Sequence, residues 1–275
     1  MGRKATRPAR MSASTVKSAA RVLEIFEHFD EVRRPVTIHE VAQALGYPHS
    51  STTALLKSLV SLGYLEYSTQ RKTFFPSIRI SMLGNWIEAE ALPIRNVHRM
   101  MNHLSEQTAC TIILATRVGI HAQYLKVIQG TTDIRFHVKP STKRNLAFST
   151  IGRVLLSGLS PLEAKPLIKD ALAAVPAATE TVASIEAELR TVKKRGYAIY
   201  SGLVTANAMM LAMPIGDKSL KRPIAIGIAA PKEYFRENKE RFITLMKRAI
   251  AEHISGNGHQ ARWPDDDASR TPVNT

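Results

Sequence analysis

The fold of the first third of the chain is decided by residues 37–66, TIHEVAQALGYPHSSTTALLKSLVSLGYLE. Thr37 and Glu40 have the spacing of a helix capping box, and apolar residues with helical spacing follow them. Gly46 is placed to end this short helix in the left-handed conformation, and Pro48 suits the first turn of the next helix. Two helices joined by so short a turn are typical of a helix-turn-helix.

The second of these helices begins with one histidine and four hydroxyl residues at 49–53, which add little to a core. In a helix-turn-helix this end enters the major groove of DNA, where short hydroxyls can bond base edges and phosphate oxygens. The leucines that follow are predicted to face the core, namely Leu55, Leu56, Leu59 and Leu62. The predicted DNA-contacting set on this helix is His49, Ser50, Ser51, Thr53, Ala54 and Lys57.

Segments 64–67 and 73–76 predict two strands around a polar tip. Arg71 and Lys72 at this tip are predicted to reach flanking phosphates or the minor groove. The alternative is an ordinary helical bundle with a hydroxyl-rich helix start, because Ser and Thr favour such positions anyway. The ordered series of capped helix, glycine turn, proline start, leucine stripe and basic-tipped hairpin favours a winged helix-turn-helix.

Composition limits the partners and the compartment. The 275 residues carry a formal net charge of +15, which indicates an anionic partner, most commonly nucleic acid. The single cysteine, Cys110, excludes a disulfide framework and a cysteine metal cluster, and it suits a reducing cytoplasm. No apolar run approaches ~18 residues and the start of the chain lacks a signal peptide's apolar segment, so we expect no membrane association and a cytoplasmic location.

The rest of the chain follows a different pattern. A helix is predicted at 94–108, two or three helices within 150–195 and a helix at 235–254, with strands near 111–117, 121–128, 132–138, 197–200, 209–215 and 223–229. Antiparallel strands with helices grouped between and beside them indicate an α+β domain rather than a doubly wound parallel sheet. The predicted organisation is a disordered basic arm (1–14), a winged helix-turn-helix domain (15–76), a linker helix (77–92), an α+β domain (93–255) and a disordered tail (256–275).

A possible ligand site lies at Ser149 and Thr150, which are placed to cap a helix that starts IGRVLLSGL. A helix N-terminus binds carboxylates readily through its free N–H groups and its dipole. The alternative is that Ser149 is a cap and nothing more.

Motifs of catalysis and metal binding are missing from the sequence. His98 and His103 are five residues apart, so they do not share a helix face as metal ligands four apart do. No Walker A loop, nucleophile elbow or G-x-G-x-x-G is present, and Ser14-x-x-Lys17 lacks companion motifs. We therefore expect no cofactor, no metal and no enzyme activity. An enzyme with an appended nucleic-acid-binding domain is the alternative function.

A second basic segment occurs in the α+β domain. It comprises Arg135, His137, Lys139, Lys143 and Arg144. Most such runs are solvated faces, and attraction of DNA or of a ligand is the less common alternative.

The chain resembles the IclR family of bacterial transcription regulators in several stretches. VKSAARVLEIFEHF at 16–29, the stretch 37–66 and SIRISMLGNWI at 77–87 stand where that family has its first helix, its winged helix-turn-helix and its linker helix. The resemblance continues through 145–160, 192–202 and 210–218. It implies a GAF-like α+β effector domain, a dimer or tetramer, and a pseudo-palindromic double-stranded DNA operator.

The resemblance also implies a ligand-responsive regulator of a catabolic gene set. Its effector pocket would be lined by Phe148, Ser149, Thr150, Ile151, Gly152, Tyr200, Ser201, Met209 and Met210. Such walls suit an aromatic or short organic acid, and the alternative is that the methionines only fill the core. Asn145 and Ala147 stand where the family commonly has proline and histidine, and Ser201 stands where it often has acids. The effector contacts are therefore expected to differ from those of relatives.

Overall fold

The computed structural model describes residues 16–88, 94–132, 138, 141–175, 179–201, 205, 207–216 and 223–254. The chain divides into two compact units, Met1–Ala89 and Glu90–Thr275. The N-terminal unit contains α1 (Lys17–Val32), α2 (Ile38–Leu45), α3 (His49–Ser61), β1 (Leu65–Ser68), β2 (Thr73–Pro76) and α4 (Ile78–Glu88).

The predicted capping box of α2 and its glycine end are confirmed. The Thr37 hydroxyl accepts from the Glu40 N–H at 3.3 Å, and the Glu40 carboxylate accepts from the Thr37 N–H at 2.7 Å. Gly46 ends α2 with φ of 67°. Pro48 is the N-cap residue of α3 and lies one position before the helix. These local signals set the start of α3 and therefore the direction of its first turn.

The core of the N-terminal unit joins α1, α2, α3 and the hairpin. It is formed by Ile25, Phe29, Val36, Val41, Leu56, Leu59, Leu65 and Phe74. Leu55 packs against this cluster, but Leu62 is 58% exposed, so the prediction that Leu62 faces the core is wrong. The reason is that α3 ends at Ser61 and Leu62 lies in the turn that follows, where helical periodicity no longer applies.

The wing is a short antiparallel hairpin whose register pairs Leu65 with Pro76 and Ser68 with Thr73. Phe74 also exchanges two backbone hydrogen bonds with Val36, at 2.8 and 3.0 Å. The wing is thereby fixed to the segment between α1 and α2.

The C-terminal unit is an α+β domain, as predicted. Its elements are α5 (Ile94–Thr108), β3 (Thr111–Val118), β4 (His121–Ile128), β5 (Lys143–Asn145), α6 (Thr150–Ser157), α7 (Pro161–Ala173), α8 (Val182–Arg195), β6 (Ala198–Ser201), β7 (Ala208–Ile215), β8 (Ile224–Pro231) and α9 (Lys232–His253). The strand order is β5-β4-β3-β8-β7-β6, and every pairing is antiparallel. The predicted strand near 132–138 lies largely outside the described residues, and β5 was not predicted because three polar residues carry no strand pattern.

The sheet separates two apolar clusters. One contains Ile151, Val154 and Leu155 of α6 with residues of α7 and α8. The other contains residues of α5 and α9, including Met100 and Phe242. The sheet face toward α6 carries many alanines, among them Ala115, Ala122, Ala212, Ala225 and Ala229. Such small side chains let α6 lie close to the sheet.

Within the described residues, none of the helices is both long enough and apolar enough to cross a bilayer.

Candidate nucleic-acid interface and ligand cavity

The exposed side of α3 carries most of the predicted DNA-contacting residues. His49, Ser50, Ala54 and Lys57 are exposed, and Ser51 and Thr53 are half-buried. Thr52, which was not predicted to contact DNA, is fully buried and donates to the carbonyl of Pro48 at 3.1 Å. In the first turns of α3, one hydroxyl is therefore buried against the core, and several others are accessible to solvent.

The hydroxyls on this exposed side differ in what they can still bond. Ser51 donates to the Pro48 carbonyl at 3.0 Å, and Thr53 donates to the His49 carbonyl at 2.8 Å. In this arrangement Thr53 presents oxygen lone pairs outward and can accept from a base amino group. The Ser50 hydroxyl makes no hydrogen bond within the described residues, so it can donate or accept.

The tip of the wing carries two exposed cations. The Arg71 N–H donates to the Ser68 hydroxyl at 3.3 Å, and Lys72 has a left-handed φ of 53°. Neither Arg71 nor Lys72 has an acidic partner in the part of the chain that the structure describes. Both charges are therefore available to phosphate oxygens.

The start of α1 adds positive charge that sequence reasoning did not assign to the interface. Lys17, Ser18 and Arg21 form a surface groove together with Ser51 and Ala54 of α3. The signal was present as the four-residue spacing of Lys17 and Arg21, which places both cations on one side of a helix.

A cavity lies in the C-terminal unit between the start of α6 and the sheet, and we call it the α6 cavity. Its volume is about 80 Å³, which is room for a small organic molecule. Its lining is Ile113, Tyr124, Val138, Arg144, Phe148, Ser149, Thr150, Tyr200, Thr205, Ala208, Met209, Met210 and Ala229. Six of the nine predicted pocket residues are thus brought together.

The other three predicted pocket residues are placed differently. Ile151 is buried in the apolar cluster beneath α6 and does not line the α6 cavity. Gly152 does not line it either, because its backbone packs against Leu146; a Cβ atom there would lie 2.6 Å from the Leu146 Cα. Ser201 ends β6, and its side chain lies outside the described residues. Gly152 is therefore required by packing between two backbone segments and not by a ligand.

The two hydroxyls at the start of α6 have different roles. Ser149 is the predicted cap: its oxygen accepts from the Gly152 N–H at 3.2 Å and donates to the Asn145 carbonyl at 2.8 Å. Thr150 is only 4% exposed, lines the α6 cavity, and makes no side-chain hydrogen bond within the described residues. Since the Ser149 hydroxyl already donates and accepts, Thr150 is the member of the pair whose hydroxyl can bind a ligand in the cavity.

Arg144 gives the α6 cavity a positive charge. It lies on β5, paired with Ala122 of β4, and its charge acts on the Tyr124 hydroxyl, which lines the same cavity. Burial raises the pKa of Tyr124, and the Arg144 charge opposes part of that increase. Arg144 belongs to the basic segment for which a solvated face was the more common expectation, but it lines the cavity instead. Tyr124 also lines the cavity and was not predicted to do so.

A second arginine, Arg153 of α6, is fully buried behind the cavity wall. Its Nε donates to the Ala147 carbonyl at 2.7 Å, its Nη2 donates to Glu180 at 3.0 Å, and its Nη1 pairs with Glu188. Its guanidinium also stacks 5.1 Å from the centre of the Tyr200 ring. Sequence analysis assigned no role to Arg153, Glu180 or Glu188, because their separations of 27 and 35 residues leave no local pattern.

Comparison with known proteins identifies both units. Residues 18–69 match the IclR helix-turn-helix domain, and residues 89–256 match the model described as the C-terminal domain of the bacterial transcriptional regulator IclR. The transcriptional regulator XynR of Escherichia coli is 20% identical over 245 residues, which cover 86% of this chain and 97% of XynR. The transcriptional repressor IclR of Escherichia coli is 24% identical over 234 residues, covering 84% and 85% of the two chains.

Solved structures agree in fold. An IclR transcriptional regulator from Alicyclobacillus acidocaldarius has a TM-score of 0.57 at 18% identity and covers 86% of this chain and 97% of its own. The IclR of Thermotoga maritima has a TM-score of 0.56 at 18% identity, with 86% and 96% covered. These relatives and neighbours are regulators rather than enzymes, which removes the support for an enzyme with an appended nucleic-acid domain. The chain belongs to the IclR family and is a DNA-binding transcriptional regulator.

Proposed function

We propose that this regulator binds a pseudo-palindromic operator as a dimer or a dimer of dimers, and that a small organic acid in the α6 cavity changes its affinity for DNA. The contacts to the operator are assigned to His49, Ser50, Ser51, Thr53, Ala54 and Lys57 of α3 and to Arg71 and Lys72 of the wing. A catabolic gene set is proposed as the target. This proposal draws on a relative from Salmonella typhimurium, named the acetate operon repressor, that is 24% identical over 270 residues.

Self-association is supported by α4. Ile78, Met82 and Leu83 are exposed apolar residues within this one helix. Trp86 and Ile87 follow in the same helix, and their side chains lie outside the described residues. A single helix-turn-helix contacts few bases, so we expect the DNA-binding domains of two protomers to bind two half-sites. Sedimentation of Leu83→Glu should show a weakened dimer, while Leu162→Glu, on the exposed side of α7, should sediment like the wild type.

The observation that carries the effector proposal is a pair of polar groups in an otherwise apolar cavity. Arg144 supplies a guanidinium whose N–H groups match a carboxylate, and Thr150 supplies a hydroxyl that makes no side-chain hydrogen bond within the described residues. The N-terminal N–H groups of α6 favour negative charge at the same end. Phe148, Met209 and other apolar side chains suit the hydrocarbon part of a ligand. The polar and apolar groups together fit a small organic acid.

A paired ligand screen tests the effector proposal. Acetate, pyruvate, benzoate and salicylate would be compared with acetamide, pyruvamide, benzamide and salicylamide by thermal shift and by release of bound DNA. At least one acid should stabilise the wild type and alter DNA binding while its amide does not. Arg144→Met should lose this response, whereas Arg190→Met on the exposed side of α8 should keep it. An acid that acts equally on Arg144→Met and on the wild type would place the effector site elsewhere.

A further inference from the structure

The hydroxyl of Tyr200 donates to a carboxylate that lies outside the α6 cavity. Its side chain lines the cavity, but the hydroxyl donates to the Glu180 carboxylate at 3.2 Å, and Glu180 is not part of the lining. The two side chains come from different segments, because Tyr200 lies on β6 and Glu180 precedes α8. The wall of the cavity is thus connected to a carboxylate behind it.

Glu180 is held in its ionised form. Burial raises its pKa, but hydrogen bonds from the Ser184 hydroxyl at 2.8 Å and from Arg153 outweigh it, so the pKa is below its ordinary value. An ionised carboxylate can only accept hydrogen bonds, so the Tyr200 hydroxyl must be the donor. Burial raises the pKa of Tyr200, with partial opposition from Arg153, and keeps the phenol protonated.

Arg153 fixes the geometry of this contact. Its guanidinium binds Glu180 and Glu188 and lies over the Tyr200 ring, so neither the carboxylate nor the ring is free to turn. The cluster contains two carboxylates and one guanidinium, and the surplus negative charge disfavours a ligand carboxylate near Tyr200. The carboxylate of a ligand is therefore expected at the Arg144 end of the cavity.

We propose that Glu180 is a positioning residue that sets ligand specificity through Tyr200. Because the phenol proton is committed to Glu180, Tyr200 offers only oxygen lone pairs to a ligand. The cavity therefore selects organic acids that also carry a hydroxyl or amino donor away from the carboxylate. This inference rests on the effector proposal and narrows it to a chemical class.

The test compares donors with matched non-donors in binding titrations of the full chain. The probes are 3- and 4-hydroxybenzoate, each against its methyl ether. The wild type should bind at least one hydroxy acid about tenfold more tightly than its ether, the value of one well-made hydrogen bond. Tyr200→Phe should remove this preference without affecting operator binding.

Glu180→Gln tests whether Glu180 orients the Tyr200 hydroxyl or only packs against it. The new amide can donate to the phenol oxygen and so free the phenol proton for the ligand, which should abolish or reverse the preference for hydroxy acids. Glu186→Gln, the same change on α8, should behave like the wild type. If Glu180→Gln does not fold, Tyr200→Phe, which leaves the Arg153–Glu180 pair in place, still tests whether the Tyr200 hydroxyl sets the preference, which the role of Glu180 requires.

The outcomes distinguish this inference from the effector proposal. If hydroxy acids and ethers bind the wild type equally, with binding dependent on Arg144, only the role of Glu180 is overturned. If Tyr200→Phe keeps the full preference for the hydroxy acid, the role of Glu180 is again overturned. If none of the hydroxy acids, ethers or simple acids binds the wild type, both proposals are contradicted.

Discussion

Gly152 and Leu146 are in direct backbone contact: a Cβ atom at position 152 would lie 2.6 Å from the Leu146 Cα and closer still to the Leu146 carbonyl oxygen. This contact holds the start of α6 against the segment that follows β5. Since Arg144 lies on β5 and Thr150 begins α6, the Gly152–Leu146 contact sets the distance between the two polar groups assigned to the effector carboxylate.

Gly152→Ala is therefore expected to destabilise the C-terminal unit rather than to block a ligand selectively. Both neighbouring atoms belong to the backbone and cannot turn aside, so the free energy of unfolding should fall by about 2 kcal/mol, as for overpacked cores. Chemical denaturation followed by circular dichroism measures this decrease. Gly158→Ala is the control, because Gly158 has a right-handed φ of −80°, which alanine adopts without backbone strain. Equal stability of Gly152→Ala and the wild type would contradict the packing argument.

The capping box of α2 predicts a specific pH dependence. Hydrogen bonds from the Thr37 N–H, from Arg34 and from the Thr37 hydroxyl lower the pKa of Glu40 from 4.5 to about 2. A lowered pKa means that ionised Glu40 stabilises the fold fully above pH 4.5, and that this contribution is lost as the pH falls from 4.5 toward 2. Glu40→Gln should be less stable than the wild type at pH 6, and the difference should shrink across that range.

Denaturant titrations at several pH values measure the Glu40 effect. Glu66→Gln, at an exposed position of β1, controls for the general loss of a negative charge. A stability difference between Glu40→Gln and the wild type that stays constant from pH 6 to pH 2.5 would exclude the capping box as its source.

The wing is expected to bind DNA without reading its sequence. Arg71→Ala or Lys72→Ala should weaken binding to all duplexes similarly and reduce the slope of log affinity against log salt by about one for each phosphate that the protein no longer neutralises. Fluorescence anisotropy on operator and unrelated duplexes at several salt concentrations gives both quantities. Lys165→Ala on the exposed side of α7 should leave them unchanged. A change in sequence preference at the wing would contradict this assignment.

Substitutions on α3 are expected to change which bases are preferred. Thr53 donates to its own helix and presents lone pairs outward, so Thr53→Val should reduce discrimination at one base pair by roughly 1–3 kcal/mol. Binding to a set of operators changed at single base pairs identifies that position. A uniform decrease across all of these operators would show that Thr53 does not read a base.

The DNA-binding fold was predictable because its signals are local. Thr37, Glu40, Gly46 and Pro48 lie within twelve residues and act on their own backbone, so spacing alone places them. Leu62 was wrongly assigned to the core because the end of α3 had no such signal. The α6 cavity was only partly predictable. Ser149 caps its own helix, whereas Arg144 reaches the cavity only through pairing between β4 and β5, and sequence spacing does not report such long-range pairing.

Paired α3 helices are proposed to read a symmetric DNA site. Selection of bound sequences from a random duplex pool by the full chain tests it most directly. We expect an inverted repeat with half-sites about one helical turn (~34 Å) or a small multiple apart, and a changed half-site sequence for Thr53→Val. Enrichment of a single unpaired half-site with full affinity, or no enriched sequence at all, would contradict it.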